Sequence, residues 1–466
     1  MRPLPAGLPP AVLVIFYLTI GALPLLLAEE QVAGFWRKLS SGLAMVAFAL
    51  LTVQFVLSSR LAAITGRLGA DTLMQIHQMA AKVITVALLL HPILYVVPMV
   101  ASEPTAALYQ LVDMFTNGAY ASGVLAWVML LGLTASAMLR DWLPVRYEAW
   151  RLTHGLGAAA LAAAGLHHTV NIGSYSDDIT LAQLWIVLVA FSFVAIGYLY
   201  LVRPWQLGQR PYYVSHVLRL GEGIWGVTLW PARLQPIGVF ARGMKPKVTQ
   251  ALSFEAGQYA WVTIGTSPFV LSDHPLFIAS APADRPRFKF VIEEAGDFSM
   301  ALGQIPIGTR AYIDGPYGGF TLSTAESRLP RGKQAAGFAF IAVGAGIAPM
   351  LSFLRDCKAE GETRPLRLLY GNRSASRIVA REELAAMESE MDVRVHHVLS
   401  DPPYEWDGGC GELDAATIDG WVDWDSPDEW IYFLCGPAAM IDAAERALIA
   451  RGVPPARIMS ERLKYD

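Results

Sequence analysis

The chain has 466 residues, 54% of them hydrophobic and 16% charged, and a net charge of −4. It is longer than one ordinary domain and too apolar to be wholly soluble, and its charge gives no basis for nucleic-acid binding. Cys357, Cys410 and Cys435 are the only cysteines, which excludes a disulfide framework and the four-cysteine pattern of a fused iron–sulfur module and suits a reducing compartment.

Charge is unevenly distributed. Residues 1–205 carry 19 Asp, Glu, Lys or Arg and the remaining 261 carry 57, so a membrane half precedes a soluble half. The opening stretch MRPLPAGLPPAVLVIFYLTIGALPLLLA has a long apolar run followed by Glu29-Glu30, not by a small-residue cleavage site. It is expected to be a retained membrane helix and not a signal peptide. Six apolar spans follow one another, at about 11–28, 40–58, 72–100, 117–139, 148–172 and 179–202, each long enough to cross a bilayer.

Loop charge sets the expected orientation. Arg60 and Arg67, then Arg140, Arg146 and Arg151, then Arg203 and Arg210 mark one side. Glu103, Asp113, Asp177 and Asp178 mark the other, and only Arg37 and Lys38 dissent. The positive-inside rule then puts both termini in the cytoplasm of a multi-pass protein of the plasma or inner membrane.

Five of the nine histidines lie in these spans, where an ionisable group is costly and usually functional. His77 and His91 are fourteen apart; His154 is thirteen before His167 and fourteen before His168. Fourteen helical residues rise about 21 Å and return to within about 40° of the same face. Two histidines so spaced face one way, near opposite sides of the hydrocarbon core. Two facing helices of this kind can ligate two stacked haems through paired imidazoles. On a straight helix His168 lines up with His154, while His167 falls about 140° away unless a bulge intervenes. Both stay candidates for the fourth ligand. The Gly/Ala run between them, GLGAAALAAAG, suits close helix packing and a flat porphyrin equally.

Arg203-Pro204-Trp205 is the expected exit from the membrane. Residues 210–325 then read as short strands with Gly/Pro turns (PYYVSHVLRL, IWGVTLWP, GQYAWVTIG, RFKFVIEEAG, TRAYIDGPYGG), which predicts a small antiparallel β-barrel. Within it, His274-Pro275-Leu276-Phe277-Ile278-Ala279-Ser280 follows a strand-rich stretch. Gly296-Asp297-Phe298-Ser299 is expected to open a short helix and offer an anion site, and Gly315-Pro316-Tyr317-Gly318 to form a turn. From about residue 338, strands (FAFIAVGAG, LRLLYGN, VRVHHVLS, WIYFLCG) alternate with helical stretches, which predicts an α/β doubly wound sheet. Gly344-Ala345-Gly346-Ile347-Ala348-Pro349 is a glycine-rich strand-to-helix turn that can approach a pyrophosphate. Arg373 and Arg377 follow the next strand and can hold a ribose phosphate, which tilts the reading toward NADPH. Cys435-Gly436-Pro437 closes the last strand.

These motifs, in this order, resemble the ferric reductase / NADPH oxidase superfamily over nearly the whole chain. HPLFIAS is similar to the family's HPFT flavin motif and GDFS to its G-[DW]-x-T segment. GAGIAP and CGP are similar to its nicotinamide-nucleotide motifs. The resemblance implies an all-α six-helix haem domain over 1–205, an FAD-binding barrel over 206–328 and an NAD(P)H-binding α/β domain over 329–466. It implies two haem b groups on His77, His91, His154 and His167 or His168. It also implies FAD contacts from His274, Pro275, Phe277, Ser280, Gly296, Asp297, Phe298 and Ser299, and nucleotide contacts from Gly344, Gly346, Pro349, Arg373, Cys435, Gly436 and Pro437. Two departures stand out. Phe277 replaces the flavin motif's hydroxyl, and the family's terminal Glu-x-Phe is here Glu461-Arg462-Leu463, with Tyr465 beyond.

The expected function is a transmembrane oxidoreductase. Electrons pass from cytoplasmic NAD(P)H through FAD and the haems to an outside acceptor, with ferric chelates first and O2, giving superoxide or hydrogen peroxide, second. A protein-partner reductase and a non-enzymatic nucleotide sensor complete the readings.

Overall fold

The computed structural model describes residues 10–29, 34–58, 70–232 and 252–462. Arg60, Arg67, Leu463 and Tyr465, which the sequence reading uses, lie outside the described residues. The chain divides into two compact units, Met1–Pro204 and Trp205–Asp466.

The first unit is helical: α1 (Pro10–Leu27), α2 (Phe35–Ser58), α3 (Ala70–Val100), α4 (Pro104–Thr116), α5 (Ala121–Met138), α6 (Tyr147–Asn171) and α7 (Ile179–Gly197). Among the described residues, four helices are long and apolar enough to cross a membrane: Phe35–Ser58, Leu73–Val100, Gly118–Met138 and Ile179–Gly208. α1 is apolar but shorter, and α6 is diluted by Arg151, His154, His167, His168 and Asn171. The expected exit at Arg203-Pro204-Trp205 is still helical: a π-turn over Tyr198–Val202 leads into α8 (Arg203–Gly208). Pro204 lies inside this continuous helical run, directly after the π-turn, and has no N–H to donate back to the preceding turn. The loop between the third and fourth spans holds α4, begun by Pro104, which the sequence reading leaves as a loop.

α2 is the centre of this unit. Thirteen of its residues are buried, and it packs on α1, α3 and α7. Phe48 meets the fully buried Trp185 of α7 with ring centroids 5.3 Å apart. α6 packs on α5 and α7 instead.

The second unit opens with β1 (Tyr212–Gly221), β2 (Ile224–Pro231), β3 (Tyr259–Ile264), β4 (His274–Phe277), β5 (Phe288–Glu293) and β6 (Arg310–Tyr317). They form one antiparallel sheet in the order β4-β3-β6-β1-β2-β5. Its two edges meet at the Ile278–Phe290 bridge, so the sheet curls round on itself. Gly315-Pro316-Tyr317, expected as a turn, is extended chain at the end of β6. A bulge sets Tyr259 opposite Tyr317 and Trp261 opposite Asp314, which absorbs the extra residue.

The chain then builds β7 (Phe338–Val343), α11 (Ile347–Glu360), β8 (Leu366–Asn372), α12 (Arg381–Glu390), β9 (Val393–Leu399), β10 (Gly409–Cys410), β11 (Ile431–Gly436), α14 (Ala438–Ala450) and β12 (Ile458–Arg462), with short α9 (Asp297–Met300), α10 (Leu322–Ser327) and α13 (Ala415–Trp421) around them. The sheet is parallel throughout, in the order β10-β9-β8-β7-β11-β12. Strand order reverses between β7 and β11, the switch point where such sheets bind ligands outside the strand C-termini. The strands read as continuous apolar runs because helices cover both faces; every residue of Phe338–Ala342 and Ile431–Cys435 is buried.

Arg355 of α11 ties the two sheets together. Its Nη1 donates to the Ala279 carbonyl at 2.6 Å, and its Nε and Nη2 grip both oxygens of Glu383 at 2.7 and 2.6 Å. Ser352 adds a bond from its hydroxyl to the Ser280 carbonyl at 2.8 Å. The Arg355 hydrogen bonds hold the Glu383 carboxyl below its ordinary value of 4.5. A depressed carboxyl contributes stability that is fully present above 4.5 and is lost as pH falls through the lower, folded-state value. Glu383→Gln is therefore expected to cost the second unit about 1–2 kcal/mol near neutral pH. The gap from wild type should close below the ordinary carboxylate range, and urea unfolding of the full chain by tryptophan fluorescence at several pH values measures it.

Candidate functional sites

α3 carries His77 and His91, and α6 carries His154, His167 and His168. The fold brings them together in two pairs. His77 lies close enough to His154 to interact electrostatically, and His168 does so with His91. His167 is exposed on the outside of the unit, while the other four are half-buried. A regular α6 produces this, since fourteen residues keep a side chain on one face and thirteen do not.

The Nδ1 atoms of His77, His154 and His168 are buried and make no hydrogen bond among the described residues. Three such nitrogens are costly for histidines that merely fill a core. α3 leans on α2, and α6 on α5 and α7, and direct packing between α3 and α6 is sparse. Paired imidazoles on two helices held apart can hold an iron macrocycle between them. Among the described residues no three His, Cys, Asp or Glu side chains gather as an ion site, so a metal here would rely on the histidine pairs.

Two contacts go beyond the sequence reading. A Cβ on Gly123 of α5 would meet His168 Nδ1 at 2.5 Å, so glycine makes room for this ring. On the other helix, His91 Nδ1 lies 2.9 Å from Ser40 Oγ and 3.0 Å from the Ser40 carbonyl. The sequence signal for both was faint: one small residue in each of two apolar helices. At the other pair, Trp150 lies over His154 at 5.2 Å, and Arg140 sits 5.7 Å from the Trp150 ring.

In the second unit, His274 opens β4 and stacks on Phe298 at 3.9 Å and 15°. HPLFIAS and GDFS therefore meet face to face. Pro275 is exposed, Phe277 half-buried and Ser280 fully buried. Ser280 Oγ accepts from Lys289 N at 3.2 Å, which staples the segment to β5. The GDFS segment differs from expectation. Its helix, α9, is only four residues long. Ser299 Oγ takes the N–H groups of Ala295 and Gly296 at 2.8 and 3.0 Å. Those amides satisfy the turn itself, so the expected anion site is closed at these two amides. Asp297 is exposed and Gly296 half-buried.

The glycine turn lies at the switch point. Gly344 adopts φ +55, a left-handed conformation that favours glycine. A Cβ on Gly346 would fall 2.2 Å from the Cys435 carbonyl, so GAG and CGP touch backbone to backbone and only glycine fits. Pro349 and Gly436 are buried and Pro437 half-buried. Cys435 is fully buried, and burial, with Glu461 second, pushes its thiol well up. It is held as a neutral thiol, unsuited to thiolate chemistry.

The two arginines part company. Arg373 is exposed. Arg377 is paired with Glu293 at the end of β5, and Glu293 Oε2 also accepts from Ala345 N at 3.4 Å. A carboxylate of the chain itself thus occupies the glycine turn that a pyrophosphate would use. Sequence reasoning missed Glu293; the sole hint was an acid at the end of a strand leading toward GDFS.

The comparisons with known proteins agree with this layout. Residues 43–165 match the family model of a ferric reductase like transmembrane component, and residues 340–446 match that of the oxidoreductase NAD-binding domain. NADH-cytochrome b5 reductase 1 of Scheffersomyces stipitis is 30% identical over 223 residues, 46% of this chain and 74% of that one. The protein of the same name from Pyricularia oryzae is 32% identical over 170 residues, 36% of this chain and 52% of that one. The chain thus spans about half the length of one such relative and three quarters of the other. Among solved structures, the cytochrome b5 reductase domain of Ulva prolifera nitrate reductase aligns over 54% of this chain and 97% of its own, with 18% identity and a TM-score of 0.44.

Because Glu293 occupies the turn and holds Arg377, Glu293→Gln is expected to free both for nucleotide. Equilibrium titration with NADPH and NADH should give dissociation constants several-fold lower than wild type, since an anionic competitor is removed; unchanged constants would exclude the competition.

Proposed function

This chain belongs to the ferric reductase / NADPH oxidase superfamily, and on that premise we propose that it is a multi-pass membrane protein carrying electrons from NAD(P)H to an acceptor across the bilayer. Six of its helices cross the membrane, with both termini and the reductase unit in the cytoplasm. When bound, FAD would take hydride from NAD(P)H and release single electrons, and two haem irons would carry them one at a time.

The observation that carries this reading is the pairing of His77 with His154 and of His91 with His168, in a chain whose other unit matches an NAD-binding oxidoreductase. The four imidazoles fit haem: they pair across two helices that pack only sparsely on each other, and Gly123 leaves room for the His168 ring. His77 and His154 hold the group nearer the cytoplasm, His91 and His168 the outer one. The stack of His274 on Phe298 and the buried Ser280 shape the flavin's seat. Gly344 and Gly346 bring backbone amides to the nucleotide at the switch point, Pro349 lies in the first turn of the helix behind them, and Gly436 and Pro437 border the nicotinamide side. Arg373, exposed after β8 and without a side-chain ion pair among the described residues, is placed to meet a ribose phosphate.

Ferric chelates outside the cell are the proposed acceptor. An electron moving outward is favoured by an inside-negative potential, by about 2.3 kcal/mol per 100 mV, so the membrane field helps deliver it to an acceptor outside.

Single alanine substitutions of His77, His91, His154 and His168 are expected to halve the haem content of the purified protein, and His167→Ala to leave it unchanged. Pyridine haemochrome quantification reads this directly. Steady-state turnover with NADH and NADPH, comparing ferric-chelate reduction with superoxide-dismutase-sensitive cytochrome c reduction, should show the chelate rate dominant; a dominant dismutase-sensitive rate would make the protein an oxidase.

A further inference from the structure

Among the described residues, His91 is the one paired histidine with a built partner for its Nδ1. Ser40 of α2 is fully buried and meets His91 three times. Ser40 Oγ donates to the His91 carbonyl at 2.8 Å, Oγ lies 2.9 Å from His91 Nδ1, and Nδ1 lies 3.0 Å from the Ser40 carbonyl. Proton accounting fixes the directions. A hydroxyl has one hydrogen, and here it goes to the His91 carbonyl. The Ser40 carbonyl can only accept. Nδ1 must therefore carry the proton and donate to both Ser40 oxygens. That leaves Nε2 with the free electron pair.

We propose that Ser40 is a positioning residue that fixes His91 as the Nδ1–H tautomer, aims Nε2 at an iron and makes this imidazole the most electron-rich of the four. The inference rests on the haem reading above. A ligand imidazole that donates its distal N–H is a stronger donor to the metal. It favours the ferric over the ferrous state, so Ser40 holds the potential of the His91/His168 haem down. His77 and His154 make no such bond through Nδ1, so their haem is an internal control. Ser40 also explains why α2 and α3 pack so closely where His91 sits, because two of its three bonds reach backbone atoms across the helix pair.

The test is a potentiometric titration of both haems in the purified full-length protein, wild type against Ser40→Ala, Ser40→Cys and Ser40→Thr. Ser40→Ala removes the hydroxyl and leaves the carbonyl acceptor. It should raise one midpoint by up to about tenfold in the reduction equilibrium, about 59 mV for one electron, and leave the other unmoved. Ser40→Cys, a poorer acceptor of similar size, should raise the same midpoint by less and keeps the test alive if the alanine variant fails to assemble. Ser40→Thr keeps the hydroxyl and should restore the wild-type value. Two haems with both midpoints unmoved in the alanine or cysteine variant would overturn the proposal and leave the haem reading standing. A wild-type protein without bis-histidine haem would overturn that reading itself.

Discussion

The constraint on which the first unit turns is the cost of an imidazole inside an apolar helix bundle. Each ring brings two nitrogens into surroundings with almost nothing to bond to. The bundle meets that cost at His91 by supplying Ser40, and it sets the other three rings on facing helices with Nδ1 unbonded among the described residues. Gly123 belongs to the same solution, because its missing side chain is the space the His168 ring occupies. Helix packing, small residues and a buried serine all serve the placement of four rings.

The second unit solves a different problem. Two sheets of unlike topology must hold their ligand-facing ends in register. Arg355 and Ser352 do this at the backbone of Ala279 and Ser280, next to the strand that supplies Glu293. The glycine turn, the CGP segment and the end of β5 therefore share one crevice. Glu293 makes that crevice self-occupied: its carboxylate sits on an amide of the turn and on Arg377. Nucleotide entry then exchanges one anion for another, a milder event than desolvating an empty cationic turn.

Much of this was legible in the sequence because it is periodic. The fourteen-residue spacings fix a helix face, and the apolar runs bounded by glycine fix the parallel strands. The choice between His167 and His168 was legible only in part. Geometry favours the second on a straight helix, but nothing in the sequence guarantees that α6 is straight. Most of the misses share a cause. The strand continuation through Gly315-Pro316-Tyr317 and the self-satisfied GDFS turn depend on what lies opposite each segment, whereas α4 has a local start at Pro104 that the loop reading passed over. The bulge pairing with β3 and the reach of Ser299 Oγ back to two amides are tertiary facts. Ser40 and Glu293 are single residues whose importance lies wholly in a partner dozens of positions away, 51 in one case and 84 in the other.

The central claim is that reducing equivalents from a nicotinamide nucleotide reach iron held by these histidines. Anaerobic mixing of the purified, FAD-loaded protein with NADPH or NADH in a stopped-flow spectrophotometer tests it most directly. The account predicts a low-spin bis-histidine haem spectrum that converts to the ferrous form after nucleotide addition, with no external mediator. A protein that binds haem but stays ferric under those conditions, or that contains no haem at all, would contradict it.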